Sequence, residues 1–278
     1  MIVNAGCRLV YGVNETSQFQ FNVAPVNSAH QNVVSETVTL TYGVNYEEIY
    51  SVPEAARLWR MSVQPGQFEL NYQATIELQP DSQSPSGLNQ ADVNTLPAEV
   101  LGYLTPSRYC ESDRLQRFAY KEFGHFSDGH TRVTAVCNWI WEHFDYVSGS
   151  TGPHDSACDV LLQRAGVCRD FAHVAIALSR ALGIPARYVS GYAVNLQPPD
   201  FHGFMEAWLD GHWYLFDATR MAPLDGLVRI GTARDAADAA FASFVGMAEM
   251  QSMEVWANSD NPQHAQGVAP TTLAVSSE

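Results

Sequence analysis

The chain is poor in basic residues: 15 Lys and Arg stand against 30 Asp and Glu, a formal charge of −15. Nucleic acid and anionic membrane both require a basic surface, so neither is an expected partner. No apolar run approaches the ~20 residues that a membrane-spanning helix needs. The opening MIVNAGCRLVYGVNE lacks a basic segment followed by an apolar one, which predicts no export signal. CxxC and CxH spacings are also missing. The five cysteines (Cys7, Cys110, Cys137, Cys158 and Cys168) are an odd number, and these absences argue against a disulfide framework or a structural zinc site. The expectation is a cytoplasmic protein with free thiols.

What is present suits a globular fold. Of the 278 residues, 46% are hydrophobic, enough to build one large core or two ordinary ones. Residues 1–80 read as strands. Phe19, Phe21 and Val23 alternate with polar residues, as do Val38, Leu40 and Tyr42. In FELNYQATIEL, Phe68, Leu70, Tyr72, Ala74, Ile76 and Leu78 share one face. Gly12, Asn14, Pro25 and Pro65-Gly66 punctuate these runs, which predicts a small antiparallel β-sandwich. The stretch PDSQSPSGLNQADVN that follows is short of apolar residues, and 81–111 is expected to be a linker or surface loop.

From Ser112 the apolar period changes to three and four. SDRLQRFAYKEF and TRVTAVCNWIWEHF read as helices after caps at Ser112 and Thr131, and residues 155–163 as a third. ARYVSGYAV, FMEAWL and WYLF return to strand. Helices followed by sheet in residues 112–257 give an α+β class, with a polar, frayed tail over 258–278.

CRDFAHVAIALSRAL begins at Cys168, after Gly166, and is stopped by Gly183 and Pro185. Cys168, Phe171, Ala175, Leu178 and Leu182 form one stripe, so the thiol lies along the packed face. Burial would make it inert. The helix N-terminus and a nearby imidazolium would lower its pKa from about 8.5 to roughly 3.5–7.5. Cys168 is therefore core packing unless a histidine reaches it. His173 is five residues along the same helix, 500° of rotation away, and is expected to be a surface or packing residue.

In FHGFMEAWLDGHWYLFDATR, Asp210-Gly211 between two apolar runs signals a two-residue hairpin turn. Leu209 then pairs with His212, Trp208 with Trp213, Glu206 with Leu215 and Phe204 with Asp217. His202 and Asp217 become diagonal neighbours on one face, within side-chain reach. A three-residue loop would place them on opposite faces. Cys168 as nucleophile, His202 as base and Asp217 as the group orienting the imidazole make a Cys-His-Asp site.

The same residues carry a likeness. RAGVCRDFAHVAIALSRALGIPARYVSGY with HGFMEAWLDGHWYLFDAT resembles the transglutaminase-like superfamily, most of all its bacterial branch labelled cysteine proteases. The resemblance is dense over 155–220 and extends in weaker form from Ser112. It implies a papain-like core of helices on an antiparallel sheet, preceded by a β-rich region, and assigns the triad to Cys168, His202 and Asp217. Many members have tryptophan two residues after the histidine, where this chain has Phe204, which bears on the shape of the acyl-binding cleft.

The resemblance implies thioester chemistry on a peptide or protein amide, with hydrolysis favoured over transamidation. There is no calcium loop of the EF-hand type. Trp139, Trp141 and Tyr146 are candidates for a second oxyanion donor, and Tyr192, Glu206 and Trp208 for lining the cleft. Packing accounts for each of the six as well. A binding module without catalysis and a zinc site built from the same three side chains are the other readings. Zinc lacks a fourth ligand or a short ligand pair, so no metal and no cofactor are expected.

Overall fold

The computed structural model describes residues 1–51, 56–127, 129–264 and 273–277. Two four-stranded antiparallel sheets make the N-terminal sandwich. Six of the eight strands come first in the chain: β1 (Ile2–Val13), β2 (Ser17–Ala24), β3 (Gln31–Leu40), β4 (Glu47–Tyr50), β5 (Arg57–Val63) and β6 (Gly66–Leu78). The alternating run in β6 behaves as its pattern predicts: Phe68, Leu70, Tyr72, Ala74, Ile76 and Leu78 are all buried. A shared core of Tyr11, Phe19, Phe21, Trp59 and Phe68 fills the space between the sheets.

Residues 81–111 are not a solvated linker throughout. They contain β7 (Asp81–Gln83) and the short helix α1 (Ala98–Leu101), and they bury Leu88, Val100, Tyr103 and Cys110. Tyr103 meets Trp213 edge to face at 5.3 Å. Single apolar anchors spaced without a period cover a neighbouring surface yet leave no helical or strand signature.

The helices follow as α2 (Ser112–Phe123), α3 (Gly129–His143), α4 (Ala157–Gln163) and α5 (Cys168–Ala181). The backbone before α2 turns in at Glu111, and α3 begins two residues ahead of Thr131. Between α3 and α5, β8 (Asp145–Tyr146) and β9 (Ala165–Gly166) make a two-residue parallel pair. Helix α5 is central, and every residue from Asp170 to Ala181 is buried. It packs on an antiparallel sheet of β10 (Ala186–Ala193), β11 (His202–Leu209), β12 (His212–Phe216) and β13 (Leu227–Ala233), ordered β12-β11-β10-β13. Met205, Ala207 and Leu209 face the helix side, and Phe204 and Leu215 pack on the other. The α+β class holds.

The end of the chain returns to the first sheets. Strand β14 (Ala242–Val245) pairs with β2, and β15 (Ala248–Ser259) runs along nearly the whole of β1. The expected frayed tail differs as well: Ala274–Ser276 form β16 against β7, with Ala274 and Val275 buried. Residues 265–272 and 278 of that tail lie outside the described residues. A strand's own pattern says which face is apolar and nothing about its partner, so these long-range pairings leave no local trace. Tyr192, Val194, Val228 and Ile230 join the sandwich core, tying it to the second sheet.

Candidate active site

Cys168 is the first residue of α5, where backbone N–H groups and the helix dipole place partial positive charge. The helix start is pinned by Asp170, whose buried carboxylate accepts from Val167 N (3.0 Å) and Thr151 Oγ1 (2.5 Å). The same carboxylate pairs with Arg169 at 2.7 Å. A Cβ on Gly166 would come within 2.8 Å of Asp170 Cβ, so glycine is required here to admit the capping side chain. Helix α5 ends at Gly183, in the left-handed region at φ +78°, with Ile184 N donating to Ser179 O.

The hairpin register is the expected one. Leu209 pairs with His212, Trp208 with Trp213 and Met205 with Phe216 across Asp210-Gly211, both at positive φ. His202 Nε2 donates to Asp217 Oδ2 at 2.8 Å, and both side chains are buried. Asp217 Oδ1 accepts from Thr219 N (2.9 Å) and Thr219 Oγ1 (2.7 Å), which fixes the carboxylate's roll. Phe204 lies stacked on the imidazole at 6.1 Å, so the departure from tryptophan changes the ring behind His202. His202 Nδ1 is buried and makes no hydrogen bond among the described residues. Cys168 Sγ lies 3.9 Å from the carbonyl of Phe201, the residue before His202.

The electrostatics of His202 result from opposed effects. Burial favours the neutral ring, but the Asp217 charge and hydrogen bond, together with the Cys168 thiol, outweigh it and push the pKa up to about 10. For Asp217 burial acts upward, yet the His202 charge and the donors of His202 and Thr219 hold it below the usual carboxylate range. Asp217 sits behind the imidazole at Nε2, away from Nδ1. No cluster of three or more His, Cys, Asp or Glu suited to a metal occurs among the described residues.

Cys168 and His202 open onto a cavity of about 350 Å³. Tyr146 stands beside Cys168, placed there by the β8–β9 pairing of Tyr146 with Gly166. Burial, followed by the Cys168 thiol, raises its phenol pKa above the ordinary value. The other aromatic candidates sit elsewhere: Trp139 packs on Phe118 and Phe144, and Trp141 is half exposed under the Arg220 guanidinium. Tyr192, Glu206 and Trp208 do not line the cavity. Tyr192 donates to Val23 O, Glu206 is buried between Arg187 and Arg229, and Trp208 packs on Trp213.

His173 is a packing residue with no exposure, held between Tyr109 and Tyr188 and accepting from Ala236 N at 3.1 Å. Burial pulls its pKa down to about 4. It supports the segment from Ala236 to Ala242, much of which forms one wall of the cavity. Neither that wall nor Asp200 at the cavity mouth stood out in the sequence. Only the position of Asp200, two residues before His202, could have drawn attention to it.

Residues 119–218 match the family described as the transglutaminase-like superfamily, and residues 1–98 match the bacterial transglutaminase N-terminal domain. A solved structure from Cytophaga hutchinsonii, provisionally assigned as a cysteine protease, is 39% identical to this chain. It aligns over 100% of this chain and 98% of its own, with a TM-score of 0.94. Among curated proteins, the uncharacterized protein ML0607 of Mycobacterium leprae is 38% identical over 117 residues, 39% of this chain and 42% of that protein. Uncharacterized protein Rv2569c of Mycobacterium tuberculosis is 37% identical over 114 residues, 36% of each. The chain therefore matches less than half the length of these two relatives.

Proposed function

The chain belongs to the transglutaminase-like superfamily, and on that premise we propose that it is a cysteine-dependent amide hydrolase working through a thioester. The observation that carries the reading is the buried His202–Asp217 hydrogen bond beside Cys168 in a cavity. Cys168 Sγ transfers its proton to His202 Nδ1 and attacks the amide carbon of a peptide or protein substrate. Asp217 holds the other ring proton at Nε2 and stabilises the imidazolium. The negative charge that develops on the carbonyl oxygen is met by the backbone N–H of Cys168 and the Tyr146 hydroxyl. His202 then returns its proton to the leaving amine, and a thioester remains. Water deprotonated by His202 releases the acid.

Cys168 is only partly buried, so water has access to the thioester, which favours hydrolysis over transfer to a second amine. The formal charge of −15 disfavours nucleic acid as substrate. Five free thiols support a cytoplasmic setting, and no described helix is long and apolar enough to cross a membrane.

The test is the rate of iodoacetamide alkylation of Cys168 against pH, read by peptide mass spectrometry in wild type and in His202→Ala. Fast alkylation that persists below pH 7 in the wild type and vanishes in the variant supports a thiolate–imidazolium pair. Alkylation following an ordinary thiol in both proteins sinks the reading.

A further inference from the structure

The cavity beside Cys168 has walls of one kind and an edge of another. Ile230, Ala236, Ala239, Ala240, Phe241 and Ala242 give an apolar wall with room left by the small alanines. The charged side chains on its lining are Arg169, Asp200 and His202. Arg169 is spent: it pairs with buried Asp170 through Nε and Nη2 and donates to Gly152 O at 2.8 Å. His202 is engaged with Asp217. Asp200 is different. It accepts from its neighbour Phe201 N at 2.7 Å, and no arginine or lysine forms an ion pair with it among the described residues. Asp200 reaches solvent on its outer side, and a segment carrying Pro198 and Pro199 leads into it.

We infer that this groove takes a basic side chain of the substrate, lysine or arginine, lying beside the scissile amide: its aliphatic stem runs along the Ile230–Ala242 wall and its cationic head meets Asp200. The inference rests on the proposed catalytic role of Cys168 and adds a substrate class to it. The physical reason is complementarity. Filling the groove strips water from the Asp200 carboxylate, a cost that an apolar or acidic side chain does not recover and a cation does. A long basic residue is also the side chain whose stem is apolar and whose tip is charged. The raised pKa of Asp200, caused first by burial, agrees with a carboxylate short of compensation despite the Phe201 N–H and the nearby His202 charge.

The experiment uses alkyl methanethiosulfonates of matched length ending in an ammonium, a methyl or a carboxylate group. In each, the Cys168 thiolate attacks the sulfenyl sulfur, a disulfide forms and methanesulfinate leaves, so no substrate need be known. Rates at Cys168 are read by peptide mapping, normalised to 2-mercaptoethanol, in wild type, Asp200→Asn and the distant charge control Asp113→Asn. The ammonium reagent is expected to react roughly 5–10-fold faster than its methyl match, the size of a partly solvated charge contact. The advantage should grow from a two-carbon to a four-carbon stem, fall to about twofold or less in Asp200→Asn, and persist in Asp113→Asn.

An advantage equal in wild type and Asp200→Asn overturns the inference, as does a methyl or carboxylate reagent reacting fastest. A Cys168 that none of the series reaches overturns it too, since the groove then admits no such chain. The catalytic reading fails separately, through the His202-dependent alkylation profile, and the charge ratio is measurable whichever way that profile falls.

Discussion

Replacing Asp217 by asparagine tests the site with almost no change of shape. Asp217 Oδ1 accepts from two donors, Thr219 N at 2.9 Å and Thr219 Oγ1 at 2.7 Å, and Oδ2 accepts from His202 Nε2 at 2.8 Å. An asparagine oxygen can replace only one of these carboxylate oxygens. It will stay with Thr219, because turning the amide would set an NH₂ group against the Thr219 N–H, which can only donate. The NH₂ then faces His202, so Nε2 must accept and the ring proton moves to Nδ1. That is the wrong tautomer for taking the Cys168 proton, and the imidazolium also loses its counter-charge. A wrong tautomer in a comparable triad costs about 10⁴ in kcat, or about 5.4 kcal/mol of barrier at 1.36 kcal/mol per tenfold. Two assays read the outcome: iodoacetamide alkylation at pH 6, and the ¹⁵N shifts of the His202 ring. The expected result is loss of fast alkylation with the proton on Nδ1. Wild-type alkylation with the proton still on Nε2 would refute the reasoning.

The same pair sets a pH dependence of stability. His202 has its folded pKa raised to about 10, so its contribution is whole below the ordinary 6.5 and is lost as pH climbs toward 10. Asp217, held low, contributes above the usual aspartate value and loses this as pH falls through its lowered folded value. Urea midpoints from pH 4 to 10 should therefore fall at the alkaline end in wild type and flatten there in His202→Phe. Glu206→Ala strands Arg187 and Arg229 without their shared buried carboxylate and should cost about 3–5 kcal/mol in urea unfolding, with Glu206→Gln costing less. Tyr103→Ala should lose about 3 kcal/mol of stability by emptying the contact with Trp213, whereas a solvated linker position would change by at most about 0.5 kcal/mol.

The limits of a local reading show most clearly at Gly166. A glycine ahead of a helix carries no local sign of its role, and the atoms this one makes way for belong to Asp170, four residues on, whose carboxylate caps the helix start. For His173 the helical rotation leaves surface and packing both open, and the structure decides for packing. Helix α5 is buried on all sides, so its far face is also interior. That Tyr146, of three candidate aromatics, lies beside Cys168 was not legible because its place depends on two residues of parallel pairing with Gly166, too short to leave a pattern.

The sequence by itself determined the alternating runs of β2 and β6, the helix that starts at Cys168 and the hairpin that sets His202 near Asp217. Each of these rests on a period or a turn contained within about twenty residues, where stereochemistry leaves few choices. Tertiary structure alone decided that β14 and β15 close the N-terminal sheets, that residues 81–111 cover Trp213, and that Asp200, without an ion pair among the described residues, stands beside an apolar groove. These depend on which surfaces meet across separations of tens to hundreds of residues. Burial energy rewards any well-packed apolar face, so the partner is selected only when the whole chain competes for the same core.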